Sequence, residues 1–153
     1  MSKSPKLVNP RDWPRPNGYA NAVVGQGQII AIAGQIGWDP IRETLVSDDF
    51  VQQSRQAIAN VLTALEAAGG KAEHLVRLTW YITDRDAYLK NRDKHGKAYR
   101  EELGKYYPAM SVVVVAGLLQ QGAKVEIEAT AVLEPGVNTK DTKLKKRGDK
   151  TRK

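Results

Sequence analysis

The chain has 153 residues, of which 41% are hydrophobic and 27% charged, with a formal net charge of +7 and no cysteine. That length suits one domain with a single core; no run of 18 apolar residues occurs and Met1-Ser2-Lys3-Ser4-Pro5 is not a secretory leader, so a cytoplasmic protein without a membrane partner is expected. The missing cysteine excludes a disulfide framework, a thiolate nucleophile and Cys-ligated zinc or iron–sulfur centres.

Residues 1–18 hold four of the seven prolines and end in Asn17-Gly18, the composition of an irregular arm. A single domain is expected over 19–135. Ala22 to Val24 and Ile29 to Ala33 are strand-like runs separated by Gly25-Gln26-Gly27-Gln28, which reads as a hairpin. From Ser47 the pattern turns helical: Val51, Ile58, Val61, Leu62 and Leu65 recur at helical spacing, with Asp48 and Asp49 at the start and Gly69-Gly70 at the stop. Leu75 to Thr83 alternates like a strand with one buried face. A second helix is expected from about Asp86 to Leu103, with Tyr88, Tyr99 and Leu103 on one face and Gly96 weakening its middle by about 1 kcal/mol relative to alanine. Val112 to Ala116 and Val125 to Leu133 then read as two neighbouring strands.

This order predicts an α+β domain with helices on one face of a mixed or antiparallel sheet. Val112 to Val115 and Ile29 to Ala33 are apolar at every position, which implies burial on both sides, and two helices cover only one. A homo-oligomer that packs its sheets together supplies the other cover. Residues 136–153 read as a disordered basic tail: Lys140 to Lys153 carries eight basic and two acidic residues, leaving about +1 for residues 1–139. The body therefore offers no phosphate-binding field, and nucleic acid is expected, if at all, only on the tail.

Few groups carry chemistry. His74 and His95 are the only histidines, and neither a metal-ligand spacing nor a Gly-x-Ser-x-Gly elbow occurs. Gly25-x-Gly27 precedes a strand rather than a helix, which is wrong for a dinucleotide loop. The reading therefore carries no metal and no cofactor. Glu126 and Glu128 point to one face of the last strand, opposite Val125, Ile127, Ala129 and Ala131. If that face meets another subunit, a desolvated carboxylate there can act as general base toward water; otherwise the two are solvated or ion-paired structural charges. Tyr19 either edges a cleft or packs. The three tryptophans are scattered and form no base-stacking platform.

Several segments in order, Asn17-Gly18-Tyr19-Ala20-Asn21-Ala22, Gly34-Gln35-Ile36-Gly37, Ala67-Ala68-Gly69, Thr79 to Asp86, Pro108-Ala109-Met110-Ser111 and Val125-Glu126-Ile127-Glu128-Ala129, resemble the RidA family, also called YjgF or UK114. The resemblance spans about residues 17–134. It implies a chorismate-mutase-like α+β fold, a homotrimer around a barrel of packed sheets, a small-molecule cleft at each subunit interface, and hydrolysis of reactive imines or enamines to keto acids and ammonia. Carried over by residue, Glu126 helps activate water, and Tyr19, Ala33, Gly34, Met110 and Ser111 line the substrate cleft. Three positions depart from the family pattern: Met110 stands where an arginine clamps the carboxylate, Ala33 where a serine is common, and Gly96 where an asparagine lies. Each hydrogen bond to a charged group contributes about 1.5–3 kcal/mol, so losing the clamp weakens binding of a small keto-acid imine by orders of magnitude unless another cation, such as Arg77 or a neighbouring subunit's lysine, replaces it.

Three readings follow. The first is an imine or enamine deaminase acting on a substrate other than the usual small keto-acid imine. The second is a catalytically inactive ligand-binding or regulatory trimer. The third, an RNA-binding protein or ribonuclease, draws on the tail and on the ribonuclease labels attached to some family members. A neutral body and the absence of paired histidines weigh against it.

Overall fold

The computed structural model describes residues 4–134, so the basic tail at 136–153, with Lys140 to Lys153, lies outside the described residues. In chain order the elements are β1 (Lys6–Val8), β2 (Ala22–Val24), β3 (Gln28–Ile36), β4 (Trp38–Asp39), β5 (Thr44–Leu45), α1 (Phe50–Ala67), a 3-10 turn (Ala72–His74), β6 (Leu75–Ile82), α2 (Arg85–Lys90), α3 (Arg92–Leu103), β7 (Ala109–Val114) and β8 (Val125–Leu133). The main sheet has the order β3-β8-β6-β7. β8 runs antiparallel to both β3 and β6, and β7 runs parallel to β6. A parallel neighbour cannot follow by a tight turn, so residues 83–108 cross over as α2 and α3.

Alternation sets which face is covered. Along β8, Val125, Ile127, Ala129, Ala131 and Leu133 are buried while Glu126, Glu128, Thr130 and Val132 are only half-buried. α1 packs on β3, β8 and α3. Ile58, Val61 and Leu65 from α1 meet Leu78, Trp80 and Ile82 of β6 and Val125 and Ile127 of β8 in one core. Burying each of the large aliphatic side chains contributes about 1.5–3 kcal/mol. The architecture is the α+β arrangement expected, with a mixed sheet and its helices on one side.

α1 begins where its sequence signals place it. The Asp49 carboxylate accepts a hydrogen bond from the Gln52 amide at 2.9 Å, and Gly69, at φ +90°, lets the chain leave the other end. One turn into the helix, the buried amide of Gln53 is fully used. Its Nε2 donates to Ser47 O at 2.9 Å and Gly122 O at 3.0 Å, and its Oε1 accepts from Lys124 N at 2.8 Å. Gly37 packs so closely that a Cβ there would lie 2.4 Å from the Gln53 Cα. This one side chain fixes α1 to the turn before it and to the entry of β8.

Three expectations change. Ala22 to Val24 does not form a hairpin with Ile29 to Ala33: it pairs with Lys6–Val8, so the arm contains a strand, and β3 pairs with β8. Gly27, at φ +137° and pressed against the Leu133 carbonyl, passes the chain between two sheets instead. β7 and β8 are not neighbours, because β6 lies between them; alternation marks a strand's faces but not its partner. The second helix is two: Asn91 ends α2 and precedes α3, its side-chain amide donating to Ala87 O at 2.9 Å. The runs read as needing cover on both sides have one face open in the single chain, where Ile29 is 70% and Val113 41% exposed.

Truncating Gln53 to alanine strands two carbonyls and one amide in the core. We expect a loss of about 3 kcal/mol in urea unfolding, whereas the Arg55–Glu101 ion pair between α1 and α3, partly exposed to solvent, contributes far less.

Candidate functional site

Gly18, at φ +76°, bends the arm so that Ala20 N donates to Pro108 O at 3.0 Å and Ala20 bridges Ala109 in parallel. Asn17-Gly18-Tyr19 is thereby laid along the entry of β7. The parallel register sets Met110 beside Leu78 and Val112 beside Trp80, both turned toward the helices. Between this edge and the crossover helices lies a cavity of about 550 Å³, lined by Tyr19, Trp80, Tyr88, His95, Gly96, Tyr99, Tyr107, Met110 and Val112, with Arg92, Asp93 and Arg100 at its α3 wall.

Its floor is aromatic. His95 meets Phe50 edge-on at 4.5 Å, stacks on Tyr88 at 5.0 Å and lies 6.3 Å from Trp80. Tyr99 stacks on Tyr107 at 5.2 Å, and its hydroxyl donates to Tyr106 O at 2.5 Å. Burial pushes the Tyr99 and Tyr88 hydroxyls up in pKa. Burial also pulls the His95 imidazole down to about 4, against a smaller upward pull from Asp49, so the ring is neutral at pH 7. Neither His95 ring nitrogen nor the Trp80 indole N–H has a hydrogen-bond partner among the described residues.

The other residues expected to line the cleft lie elsewhere in the single chain. β3 shifts register between Ile32 and Gln35, and Ala33 and Gly34 occupy that bulge. The Glu126 carboxylate folds over Gly34, where a Cβ would come within 2.1 Å of its Oε1. Glu126 sits opposite Tyr81 across the β6–β8 pairing. Ser111 lines a second, shallower concavity of about 590 Å³ on the uncovered sheet face with Arg77, Thr79, Tyr81 and Glu128. There the Tyr81 hydroxyl donates to Glu128 Oε1 at 2.6 Å, which raises the tyrosine's pKa. One chain thus brings Tyr19, Gly96 and Met110 together and holds Glu126, Gly34 and Ser111 apart from them. Arg77 is on the uncovered face, not beside Met110. Among the described residues no three His, Asp or Glu side chains are grouped to hold a metal ion, and no helix is long and apolar enough to cross a membrane.

Residues 13–133 match the family model described as endoribonuclease L-PSP. The chain belongs to that family, the RidA or YjgF family. A RutC family protein of Pyrococcus horikoshii is 33% identical over 129 residues, 84% of this chain and 98% of the relative. A human 2-iminobutanoate/2-iminopropanoate deaminase is 30% identical over 134 residues, 88% of each chain. Among solved structures, the Rid family protein YyfB of Yersinia pestis superposes with a TM-score of 0.76 at 28% identity, covering 86% of this chain and all of that one. TdcF of E. coli, solved with bound serine, gives 0.60 at 29% identity over 83% of this chain and 98% of its own.

Sequence reasoning passed over Arg92, Arg100, Trp80 and Tyr88, and set His95 aside with the metal question. A signal for the α3 wall was present: Arg92, Gly96 and Arg100 recur every four residues, one stripe of a helix. Because His95 titrates near 4 when folded and near 6.5 when unfolded, the unfolded chain binds more protons in that window, and stability falls as pH drops from 6.5 to 4. We expect a loss on the order of 2 kcal/mol from this group after allowing for screening at the cavity mouth, read as the difference in urea midpoints between the wild type and His95→Phe across that range.

Proposed function

We propose that this protein is a homotrimer with small-molecule clefts between subunits and that it hydrolyses an imine or enamine of an acid other than the usual small keto acid. The family membership supports the reaction class, since several relatives are named as 2-iminobutanoate/2-iminopropanoate deaminases. The observation that carries the assembly is the uncovered sheet face. Ile29 and Val113 stand exposed on that face, and a second copy would cover them. In such an assembly, the Glu126 and Gly34 of one subunit would face the Tyr19 and Met110 of the next, reuniting groups that one chain holds apart.

In this reading water adds to the imine carbon as Glu126 takes its proton. That proton passes to nitrogen to give the carbinolamine; its hydroxyl proton then moves to the amine through Glu126 as the carbon–nitrogen bond breaks, so ammonia leaves and the keto acid's carbonyl forms. Gly34 is needed because no other residue leaves room for the Glu126 carboxylate over the bulge. Met110 supplies no charge to a carboxylate, which argues against 2-iminopropionate as the natural substrate. The same substitution favours a second reading, a trimer that binds such ligands without turnover.

The test is hydrolysis of 2-iminopropionate, generated in situ, by the wild type and by Met110→Arg. We expect wild-type rates near those of buffer and at least a ten-fold gain in the variant, abolished by adding Glu126→Gln. A fast wild type would show that the small imine is the substrate after all. No gain in the variant, with no turnover of larger imines by the wild type, would favour the binding protein.

A further inference from the structure

Three features of the cavity under α3 converge on one ligand chemistry. Arg92, Gly96 and Arg100 form a single stripe, with the two arginines about 12 Å apart along the axis. Neither arginine has an ion-pair partner within 4.0 Å among the described residues; Arg100 acts at longer range on Glu101, and Asp93 is the acid in the lining, so both guanidinium groups have donors left for a ligand. Gly96, between them, is a notch: a Cβ there would lie 3.2 Å from Arg100 Nη1, so the guanidinium lies over the space that a side chain would fill. A side chain there would make the Arg100 guanidinium give way by a few tenths of an ångström.

The rest of the wall is planar and apolar. Tyr19, Tyr88 and Tyr107 offer ring surfaces, and Met110 offers a flexible thioether. Trp80, 3% exposed, and His95, 2% exposed, line the same space and carry the unpartnered ring nitrogens. With His95 neutral, the site has two fixed cations, an unpaired indole donor and an aromatic slot in about 550 Å³, far more than a three-carbon acid fills.

We infer that the carboxylate clamp has moved from the β7 position occupied by Met110 to α3, where Arg100, supported by Arg92, binds the carboxylate of an aromatic 2-oxo or 2-imino acid whose ring lies among the tyrosines. This deepens the function proposed above, and it rests on that reading only for the fate of the ligand, not for its binding. Met110 then gains a role: where a guanidinium would compete with Arg100 for the carboxylate, a thioether packs against the ring instead.

The experiment is calorimetric titration of the full chain with phenylpyruvate, pyruvate and phenylacetone, which separate ring from charge. Phenylpyruvate should bind at least ten-fold more tightly than either of the others. Arg100→Gln, an exposed position that leaves the core intact, should weaken phenylpyruvate at least ten-fold, and Arg92→Gln less. Equal affinities for the three compounds, or unchanged affinity in both arginine variants, would overturn the inference. Phenylpyruvate binding lost in Arg100→Gln by a protein that hydrolyses no imine supports the clamp and counts against the hydrolase. Turnover of 2-iminopropionate with no preference for phenylpyruvate does the reverse.

Discussion

The parallel pairing of β6 with β7 is the constraint from which the rest of the structure follows. Parallel neighbours need a long crossover, and this one carries α2 and α3 across one face of the sheet only. The same register puts Met110 and Val112 on the side of those helices and Ser111 and Val113 on the other. A cavity and an uncovered face are therefore two products of one connection. Gln53 secures the frame by tying α1, the other helix on the covered side, to the loop that leads from β7 into β8.

The cavity is built from groups whose burial costs energy. A neutral histidine and an indole N–H without hydrogen-bond partners among the described residues, and a glycine in mid-helix, each lower stability relative to an apolar or alanine substitute. Three such choices in one place, around a space of ligand size, are the pattern expected where stability has been exchanged for binding. The uncovered face shows the same economy in a different form: Glu126 and Glu128 are held among Tyr81, Thr79 and the bulge at Gly34, half-buried in one chain and closed off only if a second chain arrives.

Two of the three departures from the family pattern, Met110 and Gly96, line one cavity, while Ala33 lies on the β3 bulge. Met110 removes a charge from β7, and α3 carries two arginines with no ion pair within 4.0 Å among the described residues, although Asp93 shares the lining and Glu101 feels the charge of Arg100. Gly96 stands between those arginines and gives one of them room.

How much of this was legible in the sequence follows from the range of each interaction. Helix caps, glycine stops and the alternation of buried residues act over a few positions, so α1, β6 and β8, the faces of β8 and the α+β class could be read from the chain alone. The residues from Asn17 to Ala22, Gly34-Gln35, Pro108-Ala109 and Val125 to Ala129 likewise identified the family. Strand partners could not be read, because β1 finds β2 across 13 intervening residues and β7 finds β6 across a two-helix crossover, and no local pattern encodes either choice. Nor could the cavity. Arg92, Gly96 and Arg100 were visible as a stripe, but only packing α3 over β7 sets that stripe against Tyr19, Trp80 and Met110, because a site assembled from distant segments exists only once the chain has closed around it.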